Sequence, residues 1–282
     1  MRYVVFADDT NIFCTDACLK RLLSKLSQEL DKLKCWFAVN KLSLNLKKTK
    51  FMIFTTKQYE LETQDYLKID NVPIEKVNEN LFLGVIIDNN LTWKPHISHV
   101  KSKLSRSIGI LSKVRQTVNS RSMNTLYYSL IHPYLTYFVD TWDNTSKTNV
   151  DPIILLQKRA IRIINNKGYL DSTHPLFQKN KILKFTDLVD LYTVLILFKA
   201  RNNLLPANIQ NLFNERDRHY ALRRELNFRQ QKFRIGLKSR CVSVCGVKLW
   251  NALPEAQQRC KNVPLFKREF KRWIFDKYKK EG

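Results

Sequence analysis

Near Trp93 the apolar pattern of this chain changes its period. Before that point, short β-prone runs are separated by turn residues and by one long stretch at helical spacing. After it, apolar residues recur at helical spacing through block after block. The expected fold class is therefore α+β, with antiparallel strands gathered in the first third and helices beyond.

The strand signals begin at once. Tyr3-Val4-Val5-Phe6 and Asn11-Ile12-Phe13-Cys14 flank Phe6-Ala7-Asp8-Asp9-Thr10, which reads as a tight hairpin with both aspartates at its tip. Asp16 is a candidate N-cap for a helix of about six turns, on which Leu19, Leu22, Leu23, Leu26, Leu30, Leu33, Trp36 and Phe37 recur at helical spacing. Asn40 is its expected stop. Leu42, Leu44 and Leu46 then alternate with polar residues, and Phe51-Met52-Ile53-Phe54 reads as a buried strand. A polar loop from Thr55 to Asp65 follows. A hairpin is expected across Leu67-Lys68-Ile69 and Val72-Pro73-Ile74, turning at Asp70-Asn71, and a further strand signal runs from Leu81 to Ile87. Helices are expected over about 94–114, 122–137 with a bend at Pro133, 153–164, 186–201 and 264–278. The last places Phe266, Phe270, Trp273, Ile274 and Tyr278 on one side. The stretch 216–240 reads as basic and irregular.

Adjacent carboxylates repel each other, and hard divalent cations such as Mg²⁺ favour oxygen ligands of this kind. The Asp8-Asp9 tip therefore has two readings, half of a two-metal phosphoryl- or nucleotidyl-transfer site and a solvated turn. Charge describes partners rather than fold. Residues 1–150 carry 21 Lys and Arg against 14 Asp and Glu, whereas residues 151–282 carry 28 against 11. The second half is thus suited to contact with phosphates. No apolar run is long enough to span a membrane. The first residues are too acidic and too briefly apolar for a secretory signal. Cys14-x₃-Cys18 and Cys241-x₃-Cys245 loosely resemble metal spacings, yet no His pair accompanies them, and reduced, mostly buried thiols are expected. The five histidines show no metal or triad spacing and read as polar or capping residues. Most aromatic residues, Trp93, Trp142, Phe198 and Trp250 among them, are expected in the core. Neither a Gly-rich phosphate loop nor a G-x-S-x-G elbow occurs.

The order of blocks resembles the C-terminal half of a reverse transcriptase from non-LTR (LINE-type, jockey-like) retrotransposons. The resemblance rests on Phe6-Ala7-Asp8-Asp9, Asn45-x-x-Lys48-Thr49 before Phe51-Met52-Ile53-Phe54, and Phe82-Leu83-Gly84-Val85. It continues through Leu91-Thr92-Trp93, Leu126-Tyr127-Tyr128-Ser129-Leu130, Gln157-Lys158-Arg159-Ala160-Ile161-Arg162 and Leu249-Trp250-Asn251-Ala252-Leu253-Pro254. It implies a partial antiparallel-sheet polymerase palm over 1–92, a thumb-like helical region over 93–145 and a basic, mostly helical region over 146–282. It implies RNA-directed DNA polymerase activity in an intact parent, with Mg²⁺ (or Mn²⁺) as cofactor. RNA template, DNA primer and deoxynucleoside triphosphates would be the partners, with no membrane. Asp8 and Asp9 match the metal-binding catalytic pair, and Phe6 and Ala7 lie beside the incoming nucleotide. Asn45 matches a substrate-binding position. Lys48 matches a position that can stabilise departing pyrophosphate, or is a solvated lysine. Phe82, Leu83 and Gly84 match the hairpin that grips the primer end, although Gly84 also fits a plain strand bend.

The family's third palm aspartate and its fingers would lie before Met1. The expectation is thus a truncated frame, inactive alone, located in nucleus or cytoplasm and not secreted. Two other readings stand beside it: a non-catalytic nucleic-acid-binding protein, and a transposon remnant without function.

Overall fold

The computed structural model describes residues 1–7, 9–55, 67–69, 72–143, 145–213, 228–234 and 236–281. Asp8, most of the Thr55–Asp65 loop, the Asp70-Asn71 turn, His219 and most of the 216–240 stretch lie outside the described residues. The chain divides into two compact units, Met1–Leu91 and Thr92–Gly282.

In the first unit, β1 (Arg2–Phe6) and β2 (Asp9–Phe13) pair antiparallel from Arg2 opposite Phe13 to Phe6 opposite Asp9. The long helix α1 spans Leu19–Val39 and ends at Asn40, as its periodicity predicts. Its start differs. Cys18 occupies the N-cap, and Asp16 instead accepts the Cys18 N–H from two residues upstream. The alternation of Leu42, Leu44 and Leu46 yields no strand. Leu44 and Leu46 reach the core through irregular backbone, while Leu42 is exposed. Of the expected buried strand Phe51-Met52-Ile53-Phe54, only Phe51 is extended, as the end of β3 (Lys50–Phe51). β4 (Lys68–Ile69) and β5 (Val72–Pro73) form the predicted antiparallel hairpin. β6 (Glu75–Lys76) pairs with β3 in parallel, a departure from the all-antiparallel expectation. The strand signal at 81–87 is a second hairpin, β7 (Glu79–Phe82) and β8 (Val85–Asp88). Among the described residues the four strand pairs share no ladder. Among the described residues, Leu23, Leu67, Ile69 and Ile74 form a buried cluster in this unit, with Leu19, Leu26, Leu30, Leu44, Leu46 and Phe51 packed around them.

The second unit is helical. Its elements are α2 (Lys94–Val114), α3 (Ser120–Leu130), α4 (His132–Thr136), α5 (Val139–Trp142), α6 (Lys147–Ile164), α7 (His174–Lys179), α8 (Phe185–Arg201), α9 (Ala207–Gln210), α10 (Gly236–Arg240), α11 (Val242–Ala252), α12 (Glu255–Gln258) and α13 (Val263–Glu281). The break between α3 and α4 falls two residues before Pro133, whose ring and missing N–H are tolerated in the first turn of a new helix. α8 is the hub. Phe185, Leu188, Leu191, Val194, Leu195, Leu197 and Phe198 bury nearly its whole circumference, as a central helix must. It packs on α4, α5, α6, α11 and α13. Phe266 of α13 lies between Phe198 and Trp250, with ring centres 4.6 and 6.1 Å away. Trp93, Trp142, Phe198 and Trp250 are core residues as expected. Trp273 is not. It is half-buried at the edge of α13, with the Lys277 ammonium 3.5 Å from its ring centre. His96, expected as a polar or capping residue, is buried edge-on against Trp142. Burial, and secondarily His99, push its imidazole down to about 4, so it packs uncharged.

Close approach of α11 to α8 depends on Gly246. A Cβ there would lie 2.7 Å from Leu197 Cδ2 and 3.1 Å from Thr193 Cγ2. Gly246→Ala is expected to destabilise this unit by about 1–3 kcal/mol through overpacking, despite its gain in helix propensity. Urea denaturation checks this, and an unchanged midpoint would refute it.

Candidate functional site

The β1–β2 register closes the hairpin between Phe6 and Asp9. Ala7 carries φ 51°, the left-handed value required at the first loop position of a two-residue hairpin turn. Asp9 opens β2 and is exposed. Asp8 lies outside the described residues. The hairpin is apolar on both faces and exposed on both: Val5 is 66% and Phe6 59% accessible, and Tyr3, Val4 and Phe13 are also exposed. Tyr3 fastens it to α1 by donating its hydroxyl to Glu29 Oε2 at 2.5 Å. That bond raises the Tyr3 hydroxyl above its ordinary value. Glu29 is lowered, first by Lys32 and then by Tyr3.

Asp16 is fully engaged elsewhere. Its carboxylate accepts from Arg21 Nε at 2.8 Å, Lys25 Nζ at 2.7 Å and the Cys18 N–H at 3.1 Å. The Arg21 and Lys25 hydrogen bonds hold it far below the usual carboxylate range. It therefore ties the hairpin exit to α1.

Asn45-x-x-Lys48-Thr49 is a tight turn. The Lys48 N–H donates to the Asn45 carbonyl at 3.1 Å and to its side-chain Oδ1 at 3.3 Å, and the Thr49 N–H and hydroxyl also donate to the Asn45 carbonyl. Both Asn45 and Lys48 are exposed. Leu83 and Gly84 form the two-residue turn between β7 and β8, with φ values of 46° and 80°. Positive φ at both positions defines a type I′ turn, which Gly tolerates and Leu resists. Asp9 on β2, Lys48 in the turn before β3 and Gly84 in the β7–β8 turn thus belong to three strand pairs not joined by any ladder among the described residues.

Divalent-cation binding requires several converging oxygen donors. Among the described residues no group of three or more His, Cys, Asp or Glu side chains could hold a metal ion. The described donors alone do not fit a metal centre. No helix among the described residues is long and apolar enough to cross a membrane.

A probable RNA-directed DNA polymerase from transposon BS of Drosophila melanogaster is 26% identical over 170 residues, 58% of this chain and 18% of that protein. The RNA-directed DNA polymerase from mobile element jockey of Drosophila funebris is 22% identical over 187 residues, covering 65% and 20%. A probable RNA-directed DNA polymerase from transposon X-element of Drosophila melanogaster is 22% identical over 209 residues, covering 72% and 23%. The chain is related to non-LTR retrotransposon reverse transcriptases. It spans about a fifth of the length of the curated relatives it matches. No protein-family model matches it, and no solved structure does.

Two polar roles are not evident from the sequence pattern, although both residues lie in blocks that carry the resemblance. Gln157 is a buried hydrogen-bond hub between α3, α6 and the start of α8. Asn251 clamps the backbone of Phe228, accepting its N–H and donating to its carbonyl, each at 3.0 Å. An amide inside an otherwise apolar helical run is the sequence signal for both, since a buried amide must find partners.

Proposed function

We propose that this chain supplies part of a non-LTR retrotransposon RNA-directed DNA polymerase. Residues 1–92 would be the last part of the palm, 93–145 a thumb-like region and 146–282 a basic helical region that follows nucleic acid. The observation that carries the reading is the Phe6–Asp9 hairpin. It couples a family-like acidic sequence to a tight turn whose strands expose apolar side chains on both faces. Such a hairpin has the character of an internal strand pair of a larger sheet, since an isolated two-stranded pair is marginal in water.

In that sheet Asp8 and Asp9 would contribute two carboxylates to a Mg²⁺ site (Mn²⁺ substituting), completed by ligands beyond the described residues. Phe6, directly opposite Asp9 in the register, would present its ring to the sugar of an incoming deoxynucleoside triphosphate beside Ala7. Asn45 holds the turn that sets Lys48, whose exposed ammonium would neutralise charge on departing pyrophosphate. The Leu83-Gly84 turn, with Phe82 at the end of β7, would support the primer end.

The purified chain, given poly(rA)/oligo(dT), dTTP and Mg²⁺, is expected to incorporate no nucleotide above background. A chimera joining it to the preceding polymerase segment of a jockey relative is expected to incorporate dTMP, and Asp9→Asn to reduce that at least tenfold. Robust incorporation by the chain alone would overturn the need for further ligands. A chimera indifferent to Asp9 would overturn the site assignment.

A further inference from the structure

We infer that Glu29 is a positioning residue for the acidic hairpin tip: by holding the Tyr3 hydroxyl it sets the angle at which β1 and β2 stand on α1, and so where Asp9 is presented. Burial does not set that angle. Among the described residues no member of β1 or β2 is buried, and neither strand contributes to the apolar cluster around Leu23. The ladder from Arg2 opposite Phe13 to Phe6 opposite Asp9 makes the pair move as one body, so its attitude is decided where it is fastened.

Both fastenings are polar, and both lie at the open end of the hairpin. Asp16, just beyond β2, is held by Arg21 and Lys25 of α1 and anchors the exit. One anchor leaves rotation free, and Tyr3 supplies the second point. It stands opposite Ile12 and donates to Glu29 Oε2 at 2.5 Å. The other carboxylate oxygen, Oε1, accepts from Lys32 Nζ at 2.7 Å, a turn further along α1. Separate donors on the two oxygens orient the carboxylate, and the half-burial of Glu29 restrains its side chain further. The strand from Tyr3 to Ala7 is about 13 Å long, so a swing of roughly 10° at its base carries the tip about 2 Å. Where reacting groups must be aligned, misplacement by about 1 Å can cost on the order of 10²-fold in rate. A hydrogen bond at this surface contributes little to stability, yet it governs the geometry of everything beyond it.

The inference rests on the polymerase reading only for what the tip does, and the fastening itself is tested without any nucleotide. An isolated two-stranded pair is marginal in water, so a hairpin loosened from α1 exchanges its ladder amides faster. Hydrogen–deuterium exchange of the whole chain is expected to quicken over residues 1–13 by about fivefold or more in Tyr3→Phe and in Glu29→Ala, with the double variant no faster than either. Glu29→Gln keeps an oxygen that accepts from Tyr3 and is expected to stay within about twofold of the parent. Lys20→Gln, at an exposed position of α1, is the control and should change nothing. In the chimera with the preceding polymerase segment, Tyr3→Phe and Glu29→Ala are expected to lower kcat at least about fivefold while KM for dTTP stays within about twofold, and Glu29→Gln to restore the rate. Unchanged exchange in Tyr3→Phe and Glu29→Ala would overturn the inference whatever the chimera does. Faster exchange with undiminished kcat, in a chimera that Asp9→Asn inactivates, would also overturn it, since Glu29 would then fasten the hairpin without positioning the tip. A chimera indifferent to Asp9→Asn sinks the polymerase reading instead, and faster exchange then still supports the fastening.

Discussion

Replacing Gln157 by Leu is expected to destabilise the second unit by about 3–5 kcal/mol, although the two side chains are similar in size and the site is 1% exposed. The amide is used on both ends. Nε2 donates to the Tyr127 hydroxyl and to the Leu183 carbonyl, each at 3.0 Å, and Oε1 accepts the Phe185 N–H at 2.7 Å. Tyr127 is wholly buried, and that burial raises its hydroxyl far above its ordinary value. Leucine would leave a hydroxyl, a carbonyl and an N–H unpaired in a dry interior, each costing about 1–3 kcal/mol. A double-mutant cycle separates this from lost packing. Adding Tyr127→Phe removes one orphan, so the pair is expected to be less damaging than the sum of the two single changes. Urea unfolding followed by tryptophan fluorescence reads both quantities. A loss below about 1 kcal/mol, or strict additivity, would show that the hub is dispensable.

The helical part of this molecule was legible because its apolar spacing is governed by local geometry. The expected 94–114 helix is α2 from end to end, and α8 begins one residue before its expected start. The first unit was harder to read for a physical reason. A two-residue period specifies a strand only where a partner ladder and a buried face exist. Leu42, Leu44 and Leu46 have neither, so their alternation resolves into a loop that seats two of them in the core of α1. The parallel contact between β3 and β6 pairs residues 25 apart in the chain, Lys50 with Glu75 and Phe51 with Lys76, beyond any local signal. Asp16 shows the same limit at a single residue. Its type and place suggest a cap, but Arg21 and Lys25, one and two turns into α1, decide its role. For the candidate site, the hairpin and its turn were legible in Phe6-Ala7-Asp8-Asp9, because β-prone flanks on both sides leave few alternatives.

Charge burial produces the second large effect. Asp143 follows α5, and burial, reinforced by the nearby Asp190 charge, pushes its carboxyl up to about 7. Asp190 on α8 is pushed up to about 6 by burial and by Asp187, against the opposing pull of Lys277. A carboxyl that keeps its proton to about 7 when folded, but only to the ordinary 3.8 when unfolded, favours the folded state at low pH. Its contribution declines as pH rises across that window and is gone above it. His96 works in the other direction. Its folded value of about 4 lies below the ordinary 6.5, so its contribution is present above 6.5 and fades as pH falls through 4. The two trends offset each other in the parent chain, and comparison with Asp143→Asn isolates the first. At pH 8 that substitution removes a buried negative charge and is expected to stabilise the second unit by about 2–4 kcal/mol. For a unit of this size that raises Tm by roughly 5–12 °C. At pH 4, where the parent carboxyl is already protonated in the folded chain, the difference is expected to vanish. Thermal unfolding of both proteins from pH 4 to pH 8 gives the curve. A gain that is constant across pH would mean that packing, and not ionisation, distinguishes the two side chains.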